Sequence, residues 1–222
     1  MMRMAILCEG KTEQEFVDRV LYPHFGDLNA DIRAVVVETS RARGGMKHRG
    51  GSVAPDKLTK DLRRLCGSFD CVTMMFDYYG FPSKWPGIIG EPPSSAREHK
   101  RQIEEAVAKA VRHSRFVPNL ILHEYEGLLF SQPEEIARAC AENAGDESDL
   151  IQQLARVAAK FPSPEDINDS PETAPSKQIA KIVPSYEKVF HGSMIAKEIG
   201  LPVLRQKCSC FAAWIERLEE RT

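Results

Sequence analysis

Three apolar runs in this chain each stop at acids. Residues 4–8 run into Glu9-Gly10, residues 71–76 into Asp77, and residues 116–122, after His123, into Glu124 and Glu126. Carboxylates gathered at one place repel one another unless a cation joins them. Ligands that are all oxygen favour Mg²⁺ or Mn²⁺ over zinc. A cation so held binds phosphate oxygens, neutralises charge in the transition state and activates water. Residues 40–52, SRARGGMKHRGGS, contain Arg41, Arg43, Lys47 and Arg49, four glycines and no acid. Such a loop can wrap a polyanion, with basic side chains attracting phosphates and glycines letting backbone N–H groups approach; it also reads as a solvated basic loop. Acids beside a basic glycine loop suggest phosphodiester chemistry. Lys11, Arg43, Lys47, Arg49 and Lys177 are candidate phosphate contacts on charge alone.

The acids can meet only if the runs before them are neighbouring strands. Residues 4–8 and 71–76 are the continuous apolar runs of strands buried on both faces. Thr12 and Glu15 match a capping box, which predicts a helix from about Glu13 to Phe25. A second strand is expected over residues 31–39, then a helix over 55–66 with Leu58, Leu62 and Leu65 on one face. Residues 81–95, rich in Pro and Gly, read as a lid or binding loop. A charged helix over 96–113 precedes a strand over 116–122, where Pro118 marks an edge position or the strand's start. This alternation predicts an α/β domain with a parallel sheet over residues 1–130. In the order 2-1-3-4, strands one and three lie about 4.8 Å apart with strand four beside strand three. Glu9, Asp77, Glu124 and Glu126 then share the sheet edge where open α/β sheets bind ligands.

Residues 131–222 read as a mainly helical extension packed on that domain. Helices are expected near 133–143, 148–160, 176–182 with Ser176 as N-cap, and 195–199. A last helix, 211–219, presents Phe211, Trp214, Ile215 and Leu218 on one face. The acidic, proline-punctuated stretch 161–175 reads as an exposed loop or flap.

With 222 residues, 42% of them apolar, the chain can bury a sizeable core, and a net charge of -2 argues neither for nor against nucleic acid. The six cysteines include no CxxC pair and read as free thiols of a reducing cytoplasm, and Cys208 and Cys210 are poorly spaced for zinc. The HExxH zinc-protease motif fails because Gly127 stands where its second His belongs. No apolar stretch is of membrane-spanning length, so a soluble, cytoplasmic protein is expected. His123 could orient a ligand or carry a proton, or be structural.

Glu9-Gly10 after strand one, with an acidic motif after strand three, resembles the Toprim domain of topoisomerases, primases and overcoming-lysogenization-defect (OLD) nucleases. CEGKTEQEFV, FDYYGFP, HEYEGLLF, PSKQI and GLPVLRQKCSCFAAW together resemble a family of small bacterial Toprim-like proteins of undefined function, over nearly the whole chain. The resemblance implies a Toprim/Rossmann-like fold and a Mg²⁺- or Mn²⁺-dependent nuclease, acting on DNA more readily than RNA. It also implies an ABC/AAA-type ATPase partner and a setting in phage defence. Glu9 then matches the Toprim glutamate, a general acid or base and metal ligand, and Asp77 the first aspartate of DxD. Tyr79 stands at the second acidic position, so Glu124 or Glu126 would have to supply the missing carboxylate. The expected catalytic residues are Glu9, Asp77 and Glu126, and the expected metal ligands Glu9, Asp77, Glu124 and Glu126. Two other readings stay open: a non-catalytic Toprim-fold module binding nucleic acid or a partner ATPase, and a phosphatase or nucleotide-transfer enzyme acting on a small phosphorylated molecule.

Overall fold

The structure is a computed structural model that describes residues 1–37, 53–82, 85–88, 93–141, 143–167 and 173–222. The basic loop, with Arg41, Arg43, Lys47 and Arg49, lies outside the described residues.

Successive residues of a strand point to opposite faces, and in β1 (Met2–Cys8) both faces are apolar. Met4, Ile6 and Cys8 enter one hydrophobic core while Ala5 and Leu7 enter another. A strand buried on both sides belongs at the centre of a sheet. β1 pairs in parallel with β2 (Ala30–Val36) and with β3 (Cys71–Met75), and β3 pairs with β4 (Phe116–Val117), in the order β2-β1-β3-β4 expected from the sequence. The fold is α/β, a four-stranded parallel sheet flanked by helices and followed by a helical C-terminal region.

The second core lies between the sheet and helices α3 (Pro55–Cys66) and α4 (Ala96–Val111). The first receives Phe16 of α1 (Lys11–Phe16), which runs through a π-helical turn, Val17–Leu21, into α2 (Tyr22–Asp27). The C-terminal helices pack into the same core. They are α5 (Glu126–Leu129), α6 (Pro133–Cys140), α7 (Ala144–Ala158), α8 (Pro175–Ile182), α9 (Lys188–Ile199), α10 (Leu201–Lys207) and α11 (Ser209–Glu219). Trp214 of α11 is fully buried and donates its indole N–H to the Thr73 hydroxyl on β3 at 3.0 Å. Among the described residues no helix is long and apolar enough to cross a membrane, and all six cysteines are free.

Several local expectations are corrected. The first helix starts at Lys11 rather than Glu13, because Gly10 is its N-cap and the Gly10 N–H reaches the Glu13 carboxylate at 2.8 Å, so Glu13 takes the part expected of Glu15. The fourth strand ends at Val117, not Leu122. Pro118 has no N–H for the ladder, and pairing resumes only where Ile121 N–H meets the Phe76 carbonyl at 2.8 Å. Ser176 lies inside α8, whose N-cap is Ala174. In the stretch 161–175, Ile167 and Ala174 are buried, and Glu165 accepts the Cys210 and Phe211 N–H groups at 2.9 Å each, capping α11. Helix α9 begins at Lys188, seven residues before the expected helix at 195.

Candidate functional site: an acidic cluster at the sheet edge

The parallel ladder carries β1 and β3 to the same edge and ends as the Glu9 N–H donates to the Met75 carbonyl at 3.1 Å. Glu9 turns its carboxylate across the two strand ends, where Oε2 accepts the Asp77 N–H at 3.1 Å. Glycine leaves it room: a Cβ on Gly80 would lie 2.7 Å from Glu9 Oε1, so a larger residue there has to move the end of the Glu9 side chain. Asp77 is held in turn, since its Oδ1 accepts the Tyr125 N–H at 2.8 Å. One residue further, Glu126 opens α5 with its side chain fully buried. Glu124 accepts the Ser176 N–H at 3.0 Å, in the first turn of α8.

The cation among these acids comes from α9. Lys188 Nζ lies 3.0 Å from Glu126 Oε2 and 3.5 Å from Asp77 Oδ2. Neither Glu126 oxygen receives a hydrogen bond of good geometry from the described residues. Among the described residues, several carboxylates and one ammonium leave the cluster short of positive charge. Burial, reinforced by the Asp77 charge, pushes Glu9 up to about 7. Burial and Asp77 do the same to Glu13, also to about 7. Glu126 reaches about 7, burial and Asp77 outweighing Lys188. Asp77 is raised by burial despite Lys188. Burial alone would lower Lys188, but Asp77, Glu126 and Glu13 hold its ammonium above the ordinary lysine range. At neutral pH Glu9, Glu13 and Glu126 therefore divide between their charged and protonated forms.

The structure brings Glu9, Asp77 and Glu126 together, with Glu124 near enough for its charge to raise all three. Lys11 and Lys177 are exposed in the first turns of α1 and α8, while Arg43, Lys47 and Arg49 lie outside the described residues. His123 adopts a left-handed backbone, φ 61°, and its ring lies against Tyr78 and Tyr79, with centroids 5.9 and 5.4 Å away. Burial lowers its pKa. Sequence reasoning missed Glu13 and Lys188. Glu13 had a signal, four residues after Glu9 across a glycine, whereas Lys188 had none.

Among the described residues no three His, Cys, Asp or Glu side chains stand ready to hold a metal ion together. In kind, however, the donors fit a hard divalent cation: they are all oxygen, and those of Glu126 are buried with only the Lys188 ammonium beside them among the described residues. The space between Glu126 and Asp77 is bridged by the Lys188 ammonium.

The family model for a domain of unknown function, DUF4276, matches residues 8–219. The chain belongs to the DUF4276 family. The span that defines this DUF4276 protein runs from Cys8, the last residue of β1, to the end of α11, and so includes every acid of the cluster and Lys188. No curated protein and no solved structure matches the chain.

Proposed function

We propose that this DUF4276 protein is a Mg²⁺- or Mn²⁺-dependent hydrolase of phosphodiester bonds in nucleic acid, with a Toprim-like site. The observation that supports the reading is the convergence of Glu9 after β1, Asp77 after β3 and Glu126 at the start of α5, with both Glu126 oxygens buried and, among the described residues, only the Lys188 ammonium at 3.0 Å to answer them. Glu9, Asp77 and Glu126, with Glu124 nearby, are the groups to hold the cation. Bound there, a divalent ion neutralises charge on a phosphate and lowers the pKa of water. Glu9, with a carboxyl near 7, exists in both protonation states at neutral pH, as a general acid or base requires. Lys188, Lys11 and Lys177 supply cationic groups for phosphate oxygens. DNA as the preferred substrate, the ABC/AAA-type ATPase partner and the setting in phage defence rest on the resemblance to Toprim-like proteins.

The test is cleavage of supercoiled plasmid and single-stranded oligonucleotides with Mg²⁺ or Mn²⁺, comparing wild type with Glu9→Ala and Asp77→Ala. Cleavage by wild type and its loss in both variants is expected. Full activity in Asp77→Ala would overturn the site. A second reading, a catalytically inactive module that binds nucleic acid or an ATPase, is favoured by Tyr79 at the second DxD position and by Lys188 seated between two of the acids. Nucleic-acid binding without Mn²⁺ binding in calorimetry would select it.

A further inference from the structure

Lys188 differs from the acids it meets in how firmly it is held. Glu126 is fully enclosed, and Asp77 is pinned by the Tyr125 N–H at 2.8 Å. The Lys188 side chain is 40% exposed and reaches its partners along a flexible four-carbon stem. Rotamer changes in that stem can withdraw the ammonium without opening a packed core. The acids cannot withdraw in the same way. Glu126 is also left wanting: beyond the ammonium at 3.0 Å, no described group donates a well-formed hydrogen bond to either oxygen. A buried carboxylate in that state is poorly compensated. One charge shared with Asp77 does less for it than two would.

We infer that Lys188 is a tethered counter-ion, which holds Asp77 and Glu126 together in the metal-free protein and yields its place when a divalent cation binds. The inference rests on the metal-dependent reading above and adds a positioning residue from the C-terminal region. The displaced ammonium then becomes available beside the acids. The Lys188 side chain thus makes cation binding a competition: it keeps the acids assembled but weakens cation affinity by the strength of its own ion pairs.

Titration calorimetry with Mn²⁺ on wild type, Lys188→Gln and Lys188→Arg tests the competition, and amine labelling of Lys188 followed by mass spectrometry tests the displacement. Lys188→Gln should bind Mn²⁺ at least about fivefold more tightly than wild type, within the usual range of coupling between two ligands. Lys188→Arg, which keeps the charge, should stay within about twofold. In wild type, labelling of Lys188 should rise on adding Mn²⁺. Equal or weaker binding by folded Lys188→Gln would overturn the counter-ion while leaving a metal-binding wild type intact. Binding by Lys188→Gln alone would overturn the displacement, leaving Lys188 a fixed counter-ion that excludes the cation, and would turn the function towards the inactive module. If neither protein binds, both readings fall. Should Lys188→Gln not fold, the labelling decides, and reactivity unchanged by Mn²⁺ overturns the inference.

Discussion

Gly80 and Glu9 form a pair in which one residue's absence of side chain makes room for the other's carboxylate. A Cβ at position 80 would lie 2.7 and 3.1 Å from the two Glu9 oxygens, so Gly80→Ala must displace the carboxylate that spans the ends of β1 and β3. The atoms that must move are the end of a flexible side chain, so the cost lies at the low end of the about 1–3 kcal/mol usual for overpacking. A lower melting temperature and weaker Mn²⁺ binding in calorimetry are expected. Gly26→Ala, where a new Cβ meets nothing within 4 Å, should be neutral or slightly stabilising, since Ala favours helix over Gly by about 0.5–1 kcal/mol. Equal effects at both positions would count against the packing argument. The protonation of the cluster gives a second expectation. Glu9, Glu13 and Glu126 rise from an ordinary 4.5 to about 7 on folding. Between those values the folded chain holds more protons than the unfolded one, so stability is full below about 4.5 and is lost as pH rises through about 7. Thermal melts in EDTA should therefore fall from pH 5 to pH 8. Glu126→Gln should flatten that slope, and a slope unchanged in the variant would remove Glu126 from the shared protonation.

At the scale of elements, the strands were legible because residues 4–8 and 71–75 are apolar on both faces, a pattern that only a central strand satisfies. Strand four was readable in position but not in length, because a proline's lost N–H is local while the later Ile121 bridge depends on where Phe76 ends up. The capping of α1 misled for a similar reason. Thr12 has the right chemistry for a cap, but it is buried within the helix, and the turn is closed by Gly10 and Glu13 instead. Glu165 shows the limit most clearly. Proline-punctuated acidic sequence predicts exposure, yet this carboxylate is buried because it caps α11 from more than forty residues away, accepting two N–H groups at 2.9 Å. Loss of a helix N-cap costs about 0.5–2 kcal/mol. Glu165→Ala should lower stability by an amount in the upper half of that range, since it also removes a partner of Arg97 at 3.7 Å. Urea denaturation measures it, and a change below about 0.5 kcal/mol would show that the cap contributes little.

The whole molecule decides where the site ends and whether a part of it can stand alone. Glu9 and Asp77 were readable in sequence because each directly follows an apolar run, and Glu126, which opens α5, because it lies in the acidic stretch that follows the third such run. Lys188 was not, since its role depends on α9 lying beside α1 and α5, a relation between distant elements that no local pattern encodes. The same packing bears on the boundary at residue 130. The sheet face formed by Met4, Ile6 and Cys8 shares its core with Phe211, Trp214, Ile215 and Leu218 of α11, all buried. Full burial of such a side chain contributes about 1.5–3 kcal/mol. Four of them together supply roughly 6–12 kcal/mol, against a typical total stability of about 5–15 kcal/mol. Removing α11 alone therefore takes away much of the net stability, before the buried Trp214–Thr73 hydrogen bond is counted. A fragment of residues 1–130 should expose that sheet face, bind a hydrophobic dye and show no cooperative thermal transition, while the full chain melts cooperatively. A fragment that melts sharply without dye binding would instead make the strand-end acids part of an autonomous domain, and Lys188 a later addition to a site able to form without it.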